Sequence, residues 1–478
     1  MPLILPGNVG SATGGAFEVA NSLRFDDGSS SYLNDTFSTG NRDKWTWSGW
    51  VKRNALGANI TLFSAWADSD NNSVLTWLDD DAIRYKDKAA GGTQANLYTN
   101  RKFRDISAWY HIVLVYDSGN ATSGNRIRFY INGVEETSFS TDTMPSQNND
   151  STVNRGSCAH YIGTDDTSGY FFDGYMAQVA FCDGQAYAAT DFGEFDEDSG
   201  IWKPKNLSAL SYGTTGFLLE FKESGTSQNS SGLGADTSGL NNHFAVNNFA
   251  AIDQSTDTCT NNFAIFNSLA YGTGGTAPGT FSEGNLKITY GSASWRTAPA
   301  TIGLTQGKWY YEAKAGTIAG SGTQKLIQVG AVSESGIYDC IDSYHESTTY
   351  SYAYHWSGQK YVNNGAGSFG SAITTGDIVM IALDLDNNYI YAGLNGTWQN
   401  SGNPASGGSG TGALSALQSG QTYFPTVSVY NSAHEINFGS PSFSISSGNT
   451  DANGIGNFEY SVPSGYFAVC TKNLAEHG

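Results

Sequence analysis

The chain has 478 residues, and single hydrophobic cores stop growing at about 250–300, so more than one domain is expected. Only 14% of the residues are charged, 13% are aromatic and 58 are glycine, a balance of strand formers and turn formers that points to an all-β chain. The formal net charge of −20 argues against a phosphate backbone or an anionic membrane as partner, and no Lys/Arg-rich stripe stands out to override it.

Residues 1–18 hold two prolines and a Gly/Ser/Ala stretch and read as an extended arm. Pro2, Leu3, Ile4, Leu5 and Pro6 are its candidate docking residues. The start lacks the basic region and the apolar run of a signal peptide, and cysteines read as reduced, buried thiols fit synthesis in a cytoplasm. The five cysteines (Cys158, Cys182, Cys259, Cys340, Cys470) are widely spaced, so neither a zinc site nor a disulfide framework is expected. No segment approaches the roughly 20 apolar residues of a transmembrane helix.

From Ser22 to about Phe181, strand-like runs alternate with turn clusters. They include KWTWSGWVK (Lys44–Lys52), WYHIVLVY (Trp109–Tyr116) and YFFDGYMAQVAF (Tyr170–Phe181). In RIRFYINGV (Arg126–Val134), Ile127, Phe129 and Ile131 share one face, as in a half-buried strand. Asn132-Gly133 then supplies the positive φ angles of a tight hairpin. Thr215–Phe221 reads as a strand followed by a long loop, and Asp257–Phe263 reads as a linker. A second series follows: GKWYYEAK (Gly307–Lys314), KLIQVGAV (Lys325–Val332), DIVMIALD (Asp377–Asp384), YIYAGL (Tyr389–Leu394) with Asn395-Gly396, YFPTVSV (Tyr423–Val429) and EINF (Glu435–Phe438). Helical periodicity is almost absent. The expected fold is all-β: an arm (1–18), a first sandwich with closing strands and connector (19–262) and a second sandwich (263–478).

The ordered segments WYHIVLVYD (Trp109–Asp117), RIRFYINGVEE (Arg126–Glu136) and YIGTDD with YFFDGYMAQVAF (Tyr161–Phe181) resemble a laminin-G-like, concanavalin A-like jelly roll. GKWYYEAK, VGAV (Val329–Val332), GDIVMIALDLDNNYIYAGLNG (Gly376–Gly396) and YFPTVSVY (Tyr423–Tyr430) resemble a SPRY domain. The resemblance implies two tandem antiparallel jelly-roll β-sandwiches. With the Pro/Gly-rich start and the connector GADTSGLNNHFAVNNF…DQSTDTCTNNFA, the whole resembles virion structural proteins of tailed, particularly marine, bacteriophages. That implies a non-enzymatic fibre, appendage or capsid/tail decoration on the outer surface of a virion. Its arm would dock on capsid, neck or tail proteins, its sandwiches would face outward, and homo-oligomerisation would be unsurprising. One alternative is a lectin-like protein recognising a host-surface glycan. The other is a glycan hydrolase of concanavalin A-like fold.

Hydrolysis would need two carboxylates on one rigid face. The nearest candidates, Glu194, Asp196 and Asp198 in GEFDEDSG, are flanked by glycines and read as a solvated acidic turn. His111 reads as a packing histidine, and His345 and His355 as histidines among tyrosines. No cofactor is expected. Calcium is the one metal to weigh, since laminin-G-like domains often bind it at a rim; Asp165 and Asp166, then Asp68, Asp70 and Asn71, are the acidic turns to consider. The aromatic run from Tyr344 to Tyr361 divides between core and recognition surface, with Tyr352, Tyr354, Trp356 and Tyr361 as the candidate ligand-binding residues.

Overall fold

A computed structural model describes residues 17–318, 324–345, 350–363 and 365–478. Pro2, Leu3, Ile4, Leu5 and Pro6 of the expected docking arm lie outside the described residues. The chain divides into two compact units between Thr260 and Asn261. Among the described residues the two regular α-helices, Ile337–Ile341 and Thr471–His477, are short, and none there is long and apolar enough to cross a membrane.

The first unit packs two eight-stranded sheets. In one, the strands Ile127–Ile131, Tyr110–Asp117, Lys44–Arg53, Gly174–Asp183 and Ser22–Phe25 lie side by side. In the other, the order is Phe139–Thr143, Gly92–Thr99, Ile83–Ala89, Asn71–Trp77, Ile60–Asp68, Ala159–Ile162, Tyr32–Thr36 and Ala245–Asn247. Trp45, Trp47, Phe63, Trp77, Tyr85, Leu114 and Phe181 fill the space between them. The alternation read in Ile127–Ile131 is present, with Ile127, Phe129 and Ile131 inward. Gly174–Asp183, however, is buried on both faces. A second, smaller core covers its other side, where Trp50, Trp109, Val113, Tyr175, Phe192 and Trp202 pack together.

Asp257 is part of this unit and not of a free linker. Its carboxylate lies 2.8 Å from Lys52 Nζ and accepts a hydrogen bond from Trp109 Nε1 at 3.3 Å. Ser22 Oγ donates to the Asp257 carbonyl at 2.6 Å. A polar run therefore folds in because it supplies the carboxylate that a buried lysine requires.

In the second unit the central 15-residue strand Tyr423–Asn437 pairs with two neighbours in succession. Tyr423–Tyr430 runs against Leu326–Ser333, and His434–Asn437 runs against Glu312–Ala315. Lys287–Pro299 follows the same strand along its length, with a bulge between Tyr290 and Trp295. The ladder so formed encloses a core of Trp309, Tyr311, Val329, Tyr354, Ile381, Tyr391 and Val427.

The two Asn-Gly turns use one device. Asn132 and Asn395 have φ of 49° and 47°, and the following glycines have φ of 77° and 82°. Each asparagine exchanges hydrogen bonds with one residue of the preceding strand. His111 N donates to Asn132 Oδ1 at 2.7 Å, and Ile378 N donates to Asn395 Oδ1 at 2.9 Å. An aromatic ring covers each glycine: a Cβ on Gly133 would sit 2.3 Å from Trp202, and one on Gly396 would sit 2.9 Å from Tyr460.

Candidate functional site

The outer face of the second sheet of the first unit forms a cavity of about 460 Å³. Period-two alternation builds it. Along Ile83–Ala89, Ile83, Tyr85 and Asp87 turn inward, while Arg84, Lys86 and Lys88 line the cavity. The register sets each cation in a row. Arg84 lies between Thr76 and Tyr98, Lys86 lies between Val74 and Asn96, and Lys88 lies beside Asn72, which faces Trp66. The sequence leads one to expect no Lys/Arg stripe. The structure forms one, because three cations spaced by buried residues share one face once the strand is formed.

Trp66, Tyr98 and Tyr170 add ring surface to the cavity. Tyr170 is 53% exposed and has a φ of 51°, a left-handed conformation that is costly for a bulky residue. Its carbonyl is held by a 2.8 Å hydrogen bond from Thr61 N. Arg84 Nε is buried without a hydrogen-bond partner, and among the described residues neither Arg84 nor Lys86 forms a salt bridge. Burial, then the neighbouring charges of Arg84 and Lys88, pulls the Lys86 ammonium below the usual lysine range. Lys88 Nζ donates to the Ser69 carbonyl at 2.6 Å.

Asp165 is buried at the edge of this cavity, and burial followed by repulsion from Asp166 pushes its carboxyl up to about 6. Asp166 N donates to Asp165 Oδ1 at 2.9 Å, while Asp166 Oδ1 accepts from Ser168 N at 2.6 Å. Asp68 accepts from Asp70 N and Asn71 Nδ2, each at 2.9 Å. These acids cap their own turns. Among the described residues the carboxylates that converge closely enough to hold a metal are instead Asp26, Asp27 and Asp173, whose ligand atoms lie within 4.8 Å of one another. Burial, then Asp27, pushes the Asp173 carboxyl up to about 8.

The four aromatic candidates of the second unit separate. Tyr352 and Tyr354 point into the core, where Tyr354 Oη donates to the Ser371 carbonyl. Their burial removes them from any recognition surface. Trp356 and Tyr361 are half-buried. Tyr361 belongs to a cluster with His355 (ring centroids 4.6 Å apart) and Tyr344 (6.1 Å). Trp295 stacks on Tyr344 at 5.3 Å and meets Tyr430 edge-on at 5.5 Å. Trp295 and Tyr430 come from other strands, and only cross-strand register, which the sequence does not display, brings them here.

A Ser–His contact exists but has the wrong polarity for nucleophile activation. Trp202 Nε1, a donor only, donates to His111 Nδ1 at 3.0 Å. The ring proton is therefore on Nε2, which donates to Ser48 Oγ at 2.9 Å. Complete burial pushes the imidazole down to about 3, so it stays neutral. His345 and His355 are also buried and pushed down, to about 3 and about 4. Glu194 and Asp196 share Lys203, whose Nζ lies 3.5 and 3.1 Å away. Hydrogen bonds from Ser199, then Lys203, hold Asp196 at about 2, so it is ionised at neutral pH. Asp198 N donates to the Asp196 carboxylate at 3.2 Å, closing the turn. All five cysteines are free thiols, with Cys259 half-buried and Cys158, Cys182, Cys340 and Cys470 buried.

Two family models match. Residues 26–189 match the concanavalin A-like lectin/glucanases superfamily, and residues 308–441 match the SPRY domain. The chain thus carries a concanavalin A-like domain followed by a SPRY domain, both antiparallel jelly rolls. Among solved structures it is similar to a heptameric SAP-like pentraxin from Limulus polyphemus, at 14% identity over 36% of this chain and 80% of that one, with a TM-score of 0.27. It is also similar to the SPRY domain of human HERC1, at 19% identity over 32% and 87% of the two chains, with a TM-score of 0.23. A third is domain 4 of an extracellular arabinanase from Geobacillus stearothermophilus in complex with arabinotriose, at 18% identity over 32% and 64%, with a TM-score of 0.24. No curated protein matches the sequence.

Proposed function

We propose that the chain is a non-catalytic binding protein that recognises a surface glycan through the groove on its concanavalin A-like domain, and that it does so as an outward-facing structural component of a bacteriophage virion. The observation that carries the binding reading is the groove itself. It combines ring faces from Trp66, Tyr98 and Tyr170 with hydrogen-bonding side chains from Asn72 and Thr76 in a cavity of about 460 Å³. Sugars present apolar ring faces and hydroxyls, and aromatic rings beside polar groups complement both. The non-catalytic reading is supported by His111, whose tautomer donates to Ser48, and by the Glu194–Lys203–Asp196 cluster, in which hydrogen bonds from Ser199, then Lys203, hold Asp196 ionised. The virion reading rests on the sequence resemblance of arm, connector and domain order.

A glycan array probed with the intact chain tests the binding reading. Trp66→Ala and Tyr170→Ala should each weaken capture by about tenfold, while Glu194→Gln leaves both capture and reducing-sugar release unchanged. An array on which neither groove variant alters binding would sink the assignment to this groove. For the virion reading, a particle reconstruction should place residues 1–18 against another virion protein, and an arm without such a contact would contradict it.

A further inference from the structure

We propose that the glycan taken by this groove is acidic, bearing carboxylate or sulfate groups along its length, and that Arg84, Lys86 and Lys88 are the residues that read the charge. This rests on the glycan-binding reading of the same groove and goes on to name the class of ligand.

Cations are scarce in this chain. The chain has 24 lysines and arginines against 44 aspartates and glutamates, so cations can find carboxylate partners almost anywhere. Elsewhere they do. Lys52 pairs with Asp257, Arg53 and Arg104 share Asp81, Lys203 bridges Glu194 and Asp196, and Lys308 meets Asp384. Against that background, three consecutive outward positions of one strand are all cationic, and among the described residues the first two of them form no ion pair.

Geometry then favours a linear ligand. Outward residues on a strand repeat at roughly 6.6 Å, so the three charges span about 13 Å in a line along the groove. Arg84 Nε is already removed from water and lacks a partner, a state that a carboxylate or sulfate oxygen would relieve. The planar guanidinium fork suits a two-oxygen acceptor. Burial, then mutual repulsion from Arg84 and Lys88, lowers Lys86, and the repulsion is relieved by the same anions. Tyr98 beside Arg84 and Trp66 beyond Asn72 flank the stripe with ring surface, which a sugar uses and a bare anion does not. Asp79 and Asp165 also line the cavity, so three cations face two carboxylates, and the site selects acids locally without attracting every polyanion. The net charge of −20 opposes generic polyanion capture in the same way.

The test is a titration of the intact chain with four probes: a hexuronate oligosaccharide, a sulfated hexasaccharide, a neutral hexasaccharide and a single-stranded DNA of matched charge. The proposal expects one or both acidic sugars to bind, with affinity falling as salt rises. It expects Arg84→Gln to weaken them by about 10- to 100-fold, with Lys86→Gln as a second variant and unchanged thermal unfolding as the folding control. Equal binding of the neutral sugar, indifferent to Arg84→Gln, would overturn the acidic assignment and leave the glycan reading standing. Absence of binding to all three sugars would overturn both. DNA binding equal to the acidic sugars would replace the proposal with non-selective charge capture.

Discussion

Replacing Asp257 by alanine should destabilise the first domain by about 3–5 kcal/mol, the cost of removing one member of a buried ion pair. Lys52 and Asp257 have side-chain exposures of 0% and 2%, and their charged atoms are 2.8 Å apart. Low local dielectric makes the pair strong, and the same burial makes loss of one partner expensive, because a buried ammonium would lose the carboxylate 2.8 Å from it. Trp109 Nε1 would lose its acceptor as well. Lys44 and Asp117 provide an internal contrast: at 3.9 Å, with exposures of 44% and 19%, their pair should be worth about 0–1 kcal/mol. Guanidinium unfolding followed by tryptophan fluorescence measures both. Hydrogen exchange on residues 250–260 reports whether the loss is local, and the Lys52→Met/Asp257→Leu double variant should recover most of it. An Asp257→Ala cost below about 1 kcal/mol would refute the view that this segment is a structural part of the domain.

Gly133→Ala should cost about 1–3 kcal/mol, and Gly396→Ala less, since both force a positive φ but the first drives a Cβ into Trp202 at 2.3 Å and the second meets Tyr460 at 2.9 Å; thermal unfolding of the two variants checks the order. Asp173 gives a pH dependence of defined sign. Its folded value of about 8 stands above the ordinary 3.8, so the stability it supports is complete below pH 3.8 and is lost as pH rises towards 8, by up to about 1.4 kcal/mol per unit. Asp173→Asn should flatten that slope between pH 5 and 8 in denaturant titrations, and an unaltered slope would count against the burial argument.

Much of the architecture was legible in the sequence because strands and turns carry local signals. The Asn-Gly pairs announced their hairpins, and Ile127, Phe129 and Ile131 announced their face. The sequence reads Tyr170–Phe181 as a strand, but the burial of the observed strand Gly174–Asp183 on both sides depends on Trp202 and Phe192, which return from later in the chain. The same limit governs the sites. Nothing local distinguishes Tyr352 and Tyr354, which are core, from Trp356 and Tyr361, which reach the surface. Trp295 and Tyr430 join Tyr344 through strand register alone. Arg84, Lys86 and Lys88 do alternate visibly with Tyr85 and Asp87. That pattern was available to a period-two reading, although the interior carboxyl of Asp87, which burial pushes up to about 6, blurs the contrast between faces. The cavity that gives the stripe a purpose is a property of four neighbouring strands.

Hydrogen–deuterium exchange of the intact chain with and without a saturating acidic hexasaccharide decides whether the concanavalin A-like groove is the binding surface. Protection should fall on Ile60–Asp68, Asn71–Trp77, Ile83–Ala89 and Gly92–Thr99, the strands that form the groove. Protection confined to the Trp295, Tyr344, Tyr361 and Tyr430 cluster of the SPRY domain, or absent altogether, would contradict it.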